Sequence, residues 1–370
     1  MTSDTKETIK VKTRFPAIPG TKPSIRNAQL LISTGILSLD DIIGGGLPIG
    51  SILLIEEDKY GLYAKTTLKY FMAEGVVTSQ PILVASQDIQ PSQFVSELPA
   101  VINDPDLYTK TVNNVDEQMK IAWRYQNMKV IDSSPMASQI FGHYYDLTKP
   151  MQQDLLEHAD IKQWHENNLQ WRNNIFENTA YTDLLHTVEE TLRNEQYLIS
   201  ETTDKRKILR IIIHSLGSRL WLSDTEESSN RDLLKFLYCF RALLRNSYAV
   251  GVITVPISNF DNTNVIERIE HMSDIAVRLE SFAGSAKETN PLFKDYHGLL
   301  HIEKLSALNT LAPRCTDFRD LAFKLRRKKF IIEVLHLPPE FEDTVQREQD
   351  DPIISSTGCM SGSHKNMLEF

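Results

Sequence analysis

The sequence predicts an α/β fold, a largely parallel twisted sheet flanked by helices. Three observations carry this expectation. The first is a set of unbroken apolar runs, Ser51–Ile55, Pro81–Ala85, Ile208–His214 and Tyr248–Val255. A run without alternation is the pattern of a strand buried on both faces. The second is that segments of helical apolar spacing separate them: Leu68, Phe71, Met72 and Val76; Leu184, Leu185, Val188 and Leu192; Leu234, Phe236, Leu237, Phe240 and Leu244. Strands alternating with such segments build parallel sheets. The third is the order strand, short loop, Lys65-Thr66, helix, which is the layout of a phosphate-binding unit.

Length and composition narrow the field. A chain of 370 residues can bury a large core in one big or two ordinary domains. With 41% hydrophobic and 24% charged residues it has the make-up of an ordinary soluble globular protein. A formal net charge of −9 argues against a general nucleic-acid coat, so any RNA contact must come from local basic patches. Cys239, Cys315 and Cys359 are far apart and odd in number, which opposes a disulfide framework or a C-x-x-C zinc site and suits a reducing compartment. The N-terminal stretch lacks the apolar core of a signal peptide, and no apolar run reaches the length of a membrane span. A soluble intracellular protein is expected.

The stretch Ser33–Leu68 organises the rest. Leu37, Leu39, Ile42 and Ile43 form a short helical turn, with Ser33 and Thr34 placed to cap it. Gly44, Gly45, Gly46 and Pro48 end that turn and permit a tight loop. After the strand Ser51–Ile55, a loop leads to Lys65, Thr66 and a helix through Glu74. Placed on Lys65 and Thr66, the P-loop pattern G-x-x-x-x-G-K-[ST] asks for glycine at positions 59 and 64. This chain has Lys59 and Ala64 there, and Gly61 is the one glycine of the loop. P-loop glycines let backbone N–H groups turn in around phosphate oxygens. Without them, and with Glu56, Glu57 and Asp58 beside the loop, the cradle is expected to be damaged. Gly61, Lys65 and Thr66 are the candidate nucleotide-binding residues. The competing reading makes Lys65 a solvated residue of the first helical turn.

Further along, Asp88 follows the second strand, either as a water-activating carboxylate or as an N-cap for Ile89–Leu98. The run Phe141–Asp146, with Lys149 nearby, reads as a base-stacking loop or as aromatics anchoring a loop to the core. His158 and His165 are seven apart on one expected helical face, without the i, i+4 spacing of a zinc helix. Thr225–Asn230 reads as a surface loop, Asn264–Met272 as a helix, Ser273–Leu279 as a strand, and His297–Leu305 and Leu321–Leu335 as the last strands. Lys205, Arg206 and Lys207, with Arg210 beyond, form one basic patch. Arg326, Arg327, Lys328 and Lys329 form the densest. Both are candidate RNA contacts, and the second also fits a nuclear-localisation signal or a strand entering the sheet. No G-x-S-x-G elbow, H-E-x-x-H motif or internal repeat is present, and no catalytic or metal residue is assigned. The organisation expected is a basic arm over residues 1–28, one α/β domain over 29–342 with a long connection at 101–206, and a flexible tail over 343–370.

The residues also carry a resemblance. STGILSLDDIIGGGLPIGSILLIEED (33–58) resembles the opening of RecA-like ATPases. EEDKYGLYAKTTLKYFMAEGV (56–76), IAWRYQ (121–126), FGHYYDLTKPM (141–151), SLGSRLW (215–221), LESFAGSAKETNPLFKDYHGLLHIEKL (279–305), DLAFKLRRKKF (320–330) and LHLPPE (335–340) are similar to segments of the PAXNEB family. The likeness runs from Thr34 to Pro339, with an echo over 358–370. The resemblance implies a RecA-like, P-loop NTPase-type fold with degenerate Walker motifs. It implies a heterohexameric ring with Elongator proteins 5 and 6, joined to the catalytic Elongator core that modifies wobble uridines of tRNA. On this reading the chain binds and presents tRNA and needs no cofactor of its own, with ATP and Mg²⁺ at a ring interface as modulators. It also implies a cytoplasmic protein, a nuclear pool being compatible with it.

In an ATPase of this class the strand Ile208–His214 ends in an aspartate that orients Mg²⁺. His214 and Ser215 stand there, neither a hard anionic ligand, and Asp224 lies too far past the strand. The alternative function is a working ATP hydrolase using Lys65 and Thr66 at a subunit boundary, with an arginine borrowed from Arg219, Arg241 or Arg245 of a neighbour. A strand-exchange or clock-type RecA relative is a third reading, opposed by the missing motifs.

Overall fold

The computed structural model describes residues 18–24, 29–102, 141–164, 175–201, 203, 206–310 and 320–335. The expectations for 1–17, 121–126, His165, Lys205, Cys315, Cys359 and 343–370 fall outside them. Within the stretch expected as an arm, Ile18 is buried and β1 (Thr21–Pro23) pairs with β2 (Leu30–Ile32), which pairs in turn with β3 (Leu47–Pro48). Helix α1 (Leu37–Ile43) lies between β2 and β3 in the chain. Ser33 and Thr34 do not cap it. Ser33 Oγ donates to Asp40 Oδ2 at 2.5 Å, and the Thr34 amide and hydroxyl donate to Asp40 Oδ1, both at 2.8 Å. Ile36 stands at the N-cap instead, and the buried Asp40 carboxylate takes both hydroxyls because its unmet hydrogen bonds would be costly.

The chain continues through β4 (Ile52–Glu56), α2 (Leu62–Val77), β5 (Ile82–Ser86), α3 (Pro91–Ser96), β6 (Pro99–Val101), β7 (Tyr145–Pro150), α4 (Gln153–Glu157), β8 (Ile161–Trp164) and α5 (Thr179–Asn194). Then follow β9 (Leu209–His214), α6 (Glu226–Arg245), β10 (Ala249–Val255), α7 (Thr263–Met272), β11 (Ile275–Ser281), β12 (Gly298–Lys304), β13 (Leu321–Leu325) and β14 (Phe330–Val334). Nine strands form one sheet in the order β14-β13-β12-β11-β4-β10-β9-β5-β8. From β11 to β8 every pair is parallel, and β12, β13 and β14 extend the edge antiparallel. This is the α/β class with a largely parallel sheet expected from the sequence.

The continuous apolar runs are explained by the two cores they separate. Leu53, Ile55 and Ile212 pack with α2 on one face. Ile52, Leu54, Ile211 and Ile213 pack with α5 and α6 on the other. Each such side chain contributes roughly 1.5–3 kcal/mol of burial, so a central strand facing water on either side would forfeit much of its stability.

Four expectations are corrected. Leu321–Leu335 is two strands, not one: the amides and carbonyls of Arg326 and Lys329 bond each other (2.9 and 3.1 Å), and the four cations form the turn. Consecutive long cations cannot alternate into a core, but at a turn they all reach water. The polar stretch holding His158 is not one helix, because β8 adds to the sheet beside β5. Residues 226–230 are the first turns of α6, which Thr225 opens with a capping box to Ser228. Glu226 and Glu227 in that first turn suit its dipole. Asp88 caps nothing: α3 starts after Gln90, and Asp88 Oδ1 accepts from Ser218 Oγ at 2.8 Å.

Candidate functional site

The parallel strands end together at one edge of the sheet, and a ligand of an open α/β sheet binds beyond those ends. The loop after β4 lies there. Its backbone turns at Gly61, whose φ of +64° is left-handed and favours glycine. The Gly61 amide donates to the Asp58 carbonyl at 2.8 Å. The buried Asp58 side chain then folds over the start of α2. Its Oδ1 accepts from the amides of Tyr63 (3.0 Å) and Ala64 (3.2 Å), and its Oδ2 from Leu62 (3.3 Å). These first-turn N–H groups, with the positive end of the helix dipole behind them, are what a helix offers to an anion. Here a carboxylate of the chain itself takes them.

Lys65 leaves the loop for α3. Its ammonium lies 3.3 Å from Glu97 Oε2 and 5.3 Å from the centre of the Phe94 ring. Lys69 joins the same carboxylate at 2.7 Å, and hydrogen bonds from Lys69 and Gln93 lead in holding Glu97 down at about 2. Thr66 Oγ1 donates to the Leu62 carbonyl at 2.9 Å, one turn back on its own helix. Phe94 is fully buried, with its ring 5.0 Å from that of His214. It thus fills the space between Lys65 and the end of β9. The geometry brings Gly61, Lys65 and Thr66 into one helical start but aims neither side chain at the loop.

The end of β9 carries a hydrogen-bonded set. Ser86 Oγ and His214 Nδ1 are 3.1 Å apart. Ser215, at φ +53°, donates from its amide to Thr254 Oγ1 (2.8 Å) and from its hydroxyl to Glu57 Oε2 (3.1 Å). Thr254 Oγ1 donates to Glu57 Oε1 at 2.6 Å. Burial pushes the Glu57 carboxyl up, the two hydroxyls oppose it, and Asp88 and Asp58 add repulsion. Burial pushes His214 down to about 4, so the ring is neutral at pH 7.

A group whose folded pKa lies below its unfolded value stabilises at high pH and loses that stability as pH falls through the folded value. The His214 contribution should therefore be whole above pH 6.5 and vanish near pH 4, a difference of roughly 3 kcal/mol. Urea unfolding across that window should show a shallower acid limb for His214→Gln than for the wild type. Parallel limbs would mean that the imidazole titrates freely.

The two basic patches lie apart. Lys207 is exposed where β9 begins, at the opposite edge of the sheet from Gly61. Arg206 is half-buried and structural: it donates to the carbonyls of Leu198 (3.1 Å) and Glu201 and lies 4.7 Å over the Tyr248 ring. The turn of Arg326, Arg327, Lys328 and Lys329 is on the Gly61 edge, since the register β11 to β12 to β13 carries Ser281 to Gly298 to Phe323. Arg326, Arg327 and Lys328 are exposed there. Lys328 Nζ lies 3.8 Å from Asp146 Oδ2, and Lys329 Nζ 4.6 Å from the Tyr144 ring. Exposed Lys149 belongs to the same β7 segment. Of the arginines considered as donors to a neighbour, Arg241 and Arg245 both bind Asp274, whose other oxygen accepts the Ile52 amide at 2.9 Å.

The sequence marked Asp58 only as negative charge beside the loop, and Phe94 and Glu97 were not singled out. Asp58 had a signal, a carboxylate a few residues before a helix start. The other two depend on how α3 folds over α2.

The model of the PAXNEB protein family matches residues 14–370. This chain belongs to the PAXNEB family. Among curated relatives, Elongator complex protein 4 of Xenopus laevis is 44% identical over 371 residues, covering 95% of this chain and 90% of that protein. The Homo sapiens protein of that name is 42% identical over 381 residues, covering 96% and 89%. The Saccharomyces cerevisiae one is 24% identical over 374 residues, covering 86% and 76%. A solved KaiC-like protein from Pyrococcus horikoshii is similar with a TM-score of 0.45 at 13% identity, covering 82% of this chain and 99% of that one. Among the described residues, no helix of this PAXNEB chain is long and apolar enough to cross a membrane.

Proposed function

We propose that this chain is an Elongator subunit that works by holding tRNA and partner subunits rather than by hydrolysing nucleotide at its own loop. The relatives are named as Elongator proteins, and the resemblance implies a heterohexameric ring with Elongator proteins 5 and 6 that serves the catalytic core in tRNA wobble-uridine modification. The observation that carries the reading is Asp58, whose carboxylate accepts from Leu62, Tyr63 and Ala64 where a phosphate would need those same amides. The loop residues do not fit a Mg²⁺-nucleotide: Lys65 is drawn to Glu97, Thr66 to its own helix, and the end of β9 presents a neutral imidazole. Any ATP that modulates the ring is assigned to other subunits or to an interface. Soluble cytoplasmic placement, with a nuclear pool, follows the same family reading.

RNA contact is assigned to the exposed turn of Arg326, Arg327 and Lys328, with Lys329 and Lys149 beside it. The separate patch at Lys205 and Lys207 is a second, weaker candidate, because Arg206 between them is committed to the fold. The test is tRNA binding by the ring assembled with Elongator proteins 5 and 6, titrated over salt. Arg326→Glu, Arg327→Glu and Lys328→Glu together should weaken binding at least tenfold and flatten the salt dependence, by roughly 0.7–0.9 in slope for each phosphate no longer neutralised. Wild-type affinity and slope in that variant would remove the turn from the interface.

A further inference from the structure

The basic turn is held by a chain of contacts that leads back to one buried carboxylate on α2. Glu74 is 1% exposed. Its Oε2 accepts from the His143 amide at 3.1 Å and from the Tyr145 hydroxyl at 2.7 Å, and its Oε1 lies 3.1 Å from His143 Nδ1. It therefore grips the residues on both sides of Tyr144. That ring in turn lies under the Lys329 ammonium. Two residues beyond Tyr145, the Leu147 amide donates to the Lys328 carbonyl at 2.9 Å.

One turn earlier on α2, Tyr70 sets its ring edge-on to Tyr145 at 5.6 Å, and its hydroxyl accepts the Phe330 amide at 3.0 Å. The segment 142–147 is also pinned from below. Gly142 has φ +80°, and a Cβ there would come within 2.3 Å of Leu37 Cδ2. Among the described residues, the charged groups facing this contact are Arg210 and Asp40 behind Glu74, and Asp146 beside Lys328. Burial pushes the Glu74 carboxyl up, but His143, Arg210 and Tyr145 together hold it below the usual range.

We propose that Glu74 is a positioning residue for the RNA surface: by holding segment 142–147 against α2 it fixes the basic turn, and so sets the affinity of a surface it does not touch. This rests on the reading of the turn as an RNA contact given above. Each link in this chain is a hydrogen bond or a ring contact between neighbouring elements.

The experiment measures tRNA affinity of the reconstituted ring in four forms: wild type, Glu74→Gln, the triple charge reversal of the turn, and both combined. Glu74→Gln keeps the size of the side chain and changes no charge on the surface. It should weaken binding roughly fivefold, and in that background the reversal should cost much less than in the wild type, since sites coupled through a shared backbone segment are non-additive. Hydrogen exchange should quicken at Leu147 and Phe330 with the strands of the central sheet unchanged. A reversal that costs the same factor in both backgrounds, with unchanged exchange, overturns the role of Glu74 and leaves the turn as an RNA contact. A reversal without effect in the wild type overturns both. Should Glu74→Gln fail to assemble, His143→Gln at the half-buried end of the same contact makes the same measurement.

Discussion

Arg210→Met should destabilise the chain by about 3–5 kcal/mol, because it leaves buried acceptors without a donor and two buried carboxyls without their compensating charge. Arg210 has no exposed surface, and it stands on a strand whose neighbouring residues are aliphatic. Its guanidinium donates to Gln80 Oε1 (2.7 Å), the Ser33 carbonyl (2.9 Å) and the Phe71 carbonyl (3.2 Å), and stacks 4.5 Å from the Phe71 ring. Burial pushes it down to about 10, offset by Glu74, Tyr145 and Asp40, so it stays charged at neutral pH. Those carboxyls are its counter-charges, and Asp40 is already pushed up to about 7, chiefly by burial. With methionine in place, Glu74 keeps His143 and Tyr145 but loses its nearest fixed cation. A urea midpoint shifted by less than the equivalent of about 1 kcal/mol at unchanged slope would show that the cluster is not held together by this charge.

Gly35→Ala should cost about 2–4 kcal/mol, from left-handed backbone strain and overpacking together. Gly35 has φ +84°, and a Cβ there would lie 2.4 Å from the Tyr70 carbonyl oxygen and 2.8 Å from its carbon. The obstacle is the backbone of α2, which cannot swing aside as a side chain can. The corner formed by β1, β2, β3 and α1 packs against α2 through this contact. Thermal unfolding would measure the loss, and a variant within about 0.5 kcal/mol of wild type would mean that the corner can lift off α2 freely.

How far these features were legible depends on the kind of signal. The runs Ser51–Ile55 and Ile208–His214 marked the central strands β4 and β9 because burial on both faces leaves a composition no other context needs. The break at Arg326–Lys329 was not legible, because apolar residues on both sides matched one long strand as well as two short ones. Thr225–Asn230 looked like a loop because polar first turns and loops share a composition. Asp58 was visible as a charge near the loop, but its direction was not, since an acidic residue there either repels a phosphate or replaces one. The link from Glu74 to Tyr145 joins positions 71 residues apart, and only the packing of β7 against α2 reveals it.

The chain's own Asp58 carboxylate occupies the first-turn amides of α2, which under the proposal leaves no place there for a nucleotide. The most direct test is ATP binding and turnover of the proposed ring, reconstituted with Elongator proteins 5 and 6, wild type against Lys65→Ala, with assembly checked by mass. Unchanged binding and turnover are expected, because Lys65 is paired with Glu97. Loss of both in an intact ring would contradict the proposal and would return Gly61, Lys65 and Thr66 to a working nucleotide site.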